Sequence, residues 1–75
     1  MAYRIVFEYQ TESSAMSDVL NCSDEQDARD KFQELRDNLV MAIDPSGCEV
    51  VDEPDLFGLM NREEEVYGFV RLDTV

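Results

Sequence analysis

The chain has 75 residues, enough for one domain (residues 1–75) and too few for a deep cleft between subdomains. An apolar fraction of 44% is that of a folded protein and argues against intrinsic disorder. Eighteen acidic residues face six basic ones and no histidine, a formal net charge of −12, which argues against direct binding to nucleic acid or to anionic lipid.

The first element is a strand over Tyr3 to Gln10. Tyr3, Ile5, Phe7 and Tyr9 share one face at period two, and Arg4, Glu8 and Gln10 take the other. Thr11-Glu12-Ser13-Ser14 reads as a turn, and Ala15 to Leu20 returns as a second strand with a weaker alternation. A helix follows. Ser23 is placed to cap it, with Gln26 three residues on to complete a capping box, and Asp24, Glu25 and Asp27 lie where the helix dipole favours negative charge. Ala28, Phe32, Leu35, Leu39 and Ala42 or Ile43 then form one apolar stripe at helical period. Asp44-Pro45-Ser46-Gly47 ends it. Beyond lie a short strand, Cys48 to Val51, and a loop, Asp52 to Asp55. Leu56-Phe57-Gly58-Leu59-Met60 is an apolar run broken by a glycine, whose conformation the pattern leaves open. Asn61 to Glu65 is a polar turn, and Val66 to Leu72 is the last strand, with Val66, Gly68, Val70 and Leu72 on one face and Tyr67, Phe69 and Arg71 on the other.

The expected order is therefore β-β-α-β-β. It predicts an α+β two-layer sandwich, a four-stranded antiparallel sheet with one helix packed on one face. The helix stripe should bury against Ile5, Phe7, Val50 and either Val70 or Phe69.

Much chemistry is excluded by residue type. Without histidine there is no Ser-His-Asp or Cys-His nucleophile and no His-ligated metal. No Gly-rich phosphate loop or nucleophile elbow occurs. Cys22 and Cys48 match no zinc spacing and are expected to be reduced and partly buried, although Cys22 stands just before the helix start, where a thiolate gains stability. Neither Asp52-Glu53-Pro54-Asp55 nor Glu63-Glu64-Glu65 follows the order of a calcium loop. These readings point to a protein that is not an enzyme and needs no cofactor or metal. No run approaches the roughly 20 apolar residues of a membrane span, and Glu8 interrupts the N-terminal apolar stretch, so it does not read as a signal peptide. A cytoplasmic protein is expected.

The layout of charge is the best functional clue. On a helical wheel Asp27, Asp30, Glu34 and Asp37 fall in one stripe, with a carboxylate every 5 Å or so along a rise of about 15 Å. Phosphates on a duplex strand advance about 3.4 Å per step, so a groove lined by Arg and Lys could accept the stripe in place of a nucleic-acid backbone. Asp30 and Glu34 are like charges at i,i+4, a cost with no local return. Glu25 to Arg29 and Asp27 to Lys31 have the spacing of helical ion pairs and support the plainer reading of a solvated face. A second candidate surface combines Asp52, Glu53, Asp55 and Glu63 to Glu65 (Glu63, Glu64 and Glu65) with the apolar centre around Phe57. The competing reading puts Leu56 to Met60 partly in the core. Solubility and a high-salt cytosol are two further accounts of the charge. The single lysine, Lys31, fits the second, and four Met and four Phe fit it less well.

In size and charge the chain resembles phage-encoded anti-restriction and anti-CRISPR proteins. This is a likeness of profile alone, since no motif matches a particular family. It implies a small acidic inhibitor or decoy that occupies the nucleic-acid-binding surface of a basic partner, in the host cytoplasm if phage-encoded. The alternative is an adaptor or regulatory subunit of a stable complex, held by an apolar patch or a sheet edge. A homodimer is compatible with either.

Overall fold

The computed structural model describes residues 2–75. Its elements are β1 (Tyr3–Gln10), β2 (Ala15–Cys22), α1 (Glu25–Ala42), β3 (Glu49–Glu53), β4 (Leu56–Asn61) and β5 (Val66–Thr74). The five strands form one antiparallel sheet in the order β2-β1-β5-β4-β3. The α+β class and the antiparallel sheet with one helix stand, and the count of four strands is corrected to five. The additional strand is the glycine-broken run Leu56 to Met60. Its two edges pair with β3 and β5 along its length, which overrides the poor strand propensity of Gly58.

Several boundaries also move. β2 runs on to Cys22 because Tyr3 and Arg4 pair with Cys22 and Asn21. The third strand is Glu49–Glu53, so the segment expected as a loop shrinks to a two-residue turn, Pro54-Asp55, between the paired Glu53 and Leu56. The second hairpin turns through Arg62 to Glu65 between the paired Asn61 and Val66, and Glu65 takes the left-handed conformation at φ 55°. The helix starts one residue later than expected, with Asp24 at the N-cap and no side-chain cap bond. Ser23 therefore lies outside the capping position, and Gln26 turns along the helix to donate to Asp30 instead.

β1 and β5 are the central pair. Both present their apolar alternation to the helix: Ile5 and Phe7 from one, Val70 and Leu72 from the other, all buried. The stripe Ala28, Phe32, Leu39 and Ile43 closes over them, and Phe57 and Leu59 of β4 complete the core. Val70, not Phe69, faces the helix. Val50 is not core; it lies near the sheet margin and is 52% exposed. Gly68 sits on the helix side of β5 directly under the C-terminal half of α1. A side chain there would overlap the Leu39 Cδ1 methyl and press on Tyr9 Cβ and Ile43 Cδ1 at 3.0 and 3.1 Å.

The helix carries the chain from the β2 edge to the β3 edge across one face of the sheet, resting on β5, β1 and β2. The other face of the sheet has no layer on it among the described residues. The molecule measures 40 × 21 × 18 Å.

Candidate acidic surface

Asp27, Asp30, Glu34 and Asp37 are all exposed on α1. The apolar stripe that pins the helix to the sheet fixes which side these four residues occupy, and they lie along its solvent crest. None of the four is neutralised by an arginine. Glu34 accepts from Lys31 Nζ at 3.2 Å, while Asp30 and Asp37 accept at 3.0 Å from the uncharged amides of Gln26 and Gln33. The i,i+4 ion pairs expected from spacing do not form. Lys31 turns to Glu34, and Arg29 leaves the helix surface for the β3–β4 turn. Met41, 86% exposed, continues the line of the crest past Asp37.

The two helix arginines account for this imbalance. Arg29 Nη1 donates to Asp55 Oδ1 at 2.7 Å and to the Pro54 carbonyl at 3.1 Å. Arg36 Nη2 donates to Asp52 Oδ2 at 3.0 Å, and its guanidinium stacks 4.5 Å from the centroid of the Phe57 ring. One side of the helix is thus a clamp on the β3–β4 hairpin. The other keeps its carboxylates.

The second predicted surface is not brought together. Asp52, Glu53 and Asp55 lie at one end of β4, and Glu63, Glu64 and Glu65 at the other. A six-residue strand separates them by roughly 20 Å. Asp52 and Asp55 are neutralised by the arginine clamp, which leaves Glu53. Phe57, expected at the centre of an interface, is 5% exposed beneath Arg36 and offers nothing to a partner. It alternates with Gly58, and the period-two geometry that buries one must expose the other.

Glu64 instead joins a different group that sequence spacing did not reveal. It lines a hollow of about 400 Å³ with Glu12 and Asp44 beside the C-terminal end of α1. The carboxyl of Asp44 is held below the ordinary aspartate range, chiefly by the backbone N–H of Ser46 and then by its hydroxyl, at 3.0 and 2.9 Å. The thiol of Cys48 in the same wall is pushed up by burial and then by Asp44 and Glu64. Its Sγ donates to the Asp44 carbonyl at 3.3 Å. The last turn of α1 holds no basic residue, so the negative end of the helix dipole adds to this pole uncompensated. Among the described residues no group of acids or cysteines is arranged to hold a metal ion. Cys22, expected just before the helix start and partly buried, ends β2 two residues before the N-cap Asp24 and is half-buried against the core.

No described helix is long and apolar enough to cross a membrane. Compared with protein-family models, with curated proteins and with solved structures, the chain matches none.

Proposed function

We propose that this protein is an acidic decoy: it binds a basic, nucleic-acid-binding protein through the crest of α1 and the C-terminal pole of that helix, in the place of nucleic acid. The observation that carries this reading is the separation of charge on the helix. Arg29 and Arg36 are drawn away to the β3–β4 hairpin, and Asp27, Asp30, Glu34 and Asp37 keep one lysine among them. Placing like charges in line costs free energy that the fold does not recover. A groove lined by Arg and Lys recovers it. The spacing of about 5 Å between carboxylates suits such a groove, and the exposed Met41 supplies an apolar contact at its end. Association of this kind is steered over long range and weakens steeply with salt.

The test is capture of partners on the immobilised protein from a lysate of the native host, at low and high salt, with and without excess duplex DNA. The expected result is a nucleic-acid-binding protein that is released by salt, displaced by duplex, and no longer captured by an Asp30→Lys/Asp37→Lys variant. Capture indifferent to salt, duplex and the charge reversals would overturn the proposal.

The open sheet face favours a second reading, a subunit of a stable complex held by apolar contact. That binding would survive salt and would be indifferent to the helix crest.

A further inference from the structure

The face of the sheet turned away from α1 is chemically unlike the rest of the molecule. Alternation along the paired strands places Val19, Val51, Leu56, Met60, Tyr67 and Phe69 there. The strand residues on this face include four acids, Glu8, Glu49, Glu53 and Asp73, and two arginines, Arg4 and Arg71. They account for −2 of the chain's −12. Three of the acids are also engaged: Glu8 accepts from the Tyr67 hydroxyl at 3.1 Å, Asp73 pairs with Arg71 at 3.1 Å, and Glu49 with Arg62 at 3.7 Å. The other −10 lies elsewhere, on the helix side of the sheet and in the turns at the strand ends.

We propose that two copies of this chain associate through these open faces, sheet against sheet, with the helices outward. The proposal is independent of what the helix crest binds. Four observations favour a second copy. A face carrying little net charge is the one surface on which two molecules of −12 can meet without strong repulsion, and the arrangement puts the acidic crests at opposite poles. A strongly basic partner would meet Arg4 and Arg71 here and is drawn to the crest instead.

The relief of the face is self-complementary. Gly58 leaves a gap between Val51 and Phe69, part of a groove of about 220 Å³, and Met60 stands beside it, 44% exposed. A two-fold axis presents the knob of each copy to the hollow of the other. The footprint is of the right order: strands of 8, 8, 5, 6 and 9 residues, at about 3.3 Å per residue and about 4.8 Å apart, cover roughly 570 Å² before side-chain relief is counted, near the lower end of specific interfaces. Finally, the sheet edges are guarded, which directs pairing to the face. In the middle of edge strand β2 the Asp18 carboxylate accepts from the Val19 N–H at 2.8 Å, covering a donor that an added strand would need. The opposite edge, β3, carries Glu49, Asp52 and Glu53.

Sedimentation equilibrium from micromolar to millimolar protein, at low and high salt, tests the proposal. The expected mass is twice the 8.6 kDa of the chain, with the dimer surviving salt. Val51→Lys/Met60→Lys should weaken the dimer about 100-fold by burying like charges at its centre, and Asp18→Ala should leave it intact. In the unsubstituted protein, methyl NMR signals of Val51 and Met60 should shift on dilution while that of Met41 stays fixed, a readout that needs no variant to fold. A monomer up to millimolar concentration would overturn the proposal and leave the face to a different partner. So would a dimer whose dilution moves Met41 and spares Val51 and Met60.

Discussion

At Gly68 the backbone of β5 lies so close to α1 that even a methyl group meets Leu39, Tyr9 and Ile43 at once. Leu39 is fully buried and has nowhere to move. Gly68→Ala should therefore cost about 1–3 kcal/mol of stability through overpacking. A denaturant series on Gly68→Ala, Leu39→Ala and the double variant checks the cause. The double variant should be more stable than the two single losses predict, because the smaller residue 39 makes room. Asp44 offers a second test at this scale. Its folded pKa is lowered by Ser46, so the charged form is favoured in the fold. The resulting stability is fully present above the ordinary aspartate pKa of about 3.9 and is lost as pH falls through the lowered folded value. Asp44→Asn keeps the acceptor and removes the titration. Its melting temperature should fall less steeply on acidification than that of the unsubstituted protein.

Among the elements, the β3–β4 hairpin is held to β5 by strand pairing and by the buried Phe57 and Leu59, and to the helix by two arginines. The helix rests mainly on β5, β1 and β2, and it reaches the hairpin through Arg29 and Arg36. Arg36 does two things at once, pairing with Asp52 and covering the ring of Phe57. Arg36→Ala should cost about 1 kcal/mol, the sum of a partly exposed ion pair and a cation–π contact. Arg36→Lys should recover only part of this, because an ammonium does not stack as a guanidinium does. Thermal unfolding of the two variants reads the difference, and hydrogen exchange should place the loss in β3 and β4.

The elements that could be read from sequence were those whose burial has one period. β1, β5 and the helix stripe each bury one face, and the pattern of Ile5, Phe7, Phe32, Leu39 and Val70 states it plainly. β4 could not be read this way. Phe57 and Leu59 face the core while Leu56 and Met60 face an open but apolar surface, so alternation vanishes in the letters although it is present in space. The acidic crest was legible because helix periodicity alone orients it. The arginine clamp was not. Its partners lie 16 and 26 residues away, and a local i,i+4 rule assigns the same cations to neighbours that they do not touch.

For the molecule as a whole, eighteen acids against six bases make self-repulsion the dominant long-range term. The five ion pairs among the described residues are all at least partly exposed, and screening weakens them little in absolute terms. Repulsion is the larger effect, so added NaCl should raise the melting temperature; chemical denaturation in urea at several salt concentrations checks this, since urea carries no charge of its own. Replacing Asp27, Asp30 and Asp37 with Asn should raise stability at low salt and flatten the same salt dependence, as expected when a surface is held for binding at the expense of folding.

That last variant also tests the central claim, that the crest of α1 stands in for a nucleic-acid backbone. The measurement is displacement of a fluorescent duplex from the captured nucleic-acid-binding protein, followed by anisotropy at fixed low salt. The unsubstituted protein should release the duplex in proportion to its occupancy, and Asp27→Asn/Asp30→Asn/Asp37→Asn should need at least about tenfold more protein for the same release, a change of about 1.4 kcal/mol. Equal displacement by the neutral variant, or binding that leaves the duplex in place, would contradict the account.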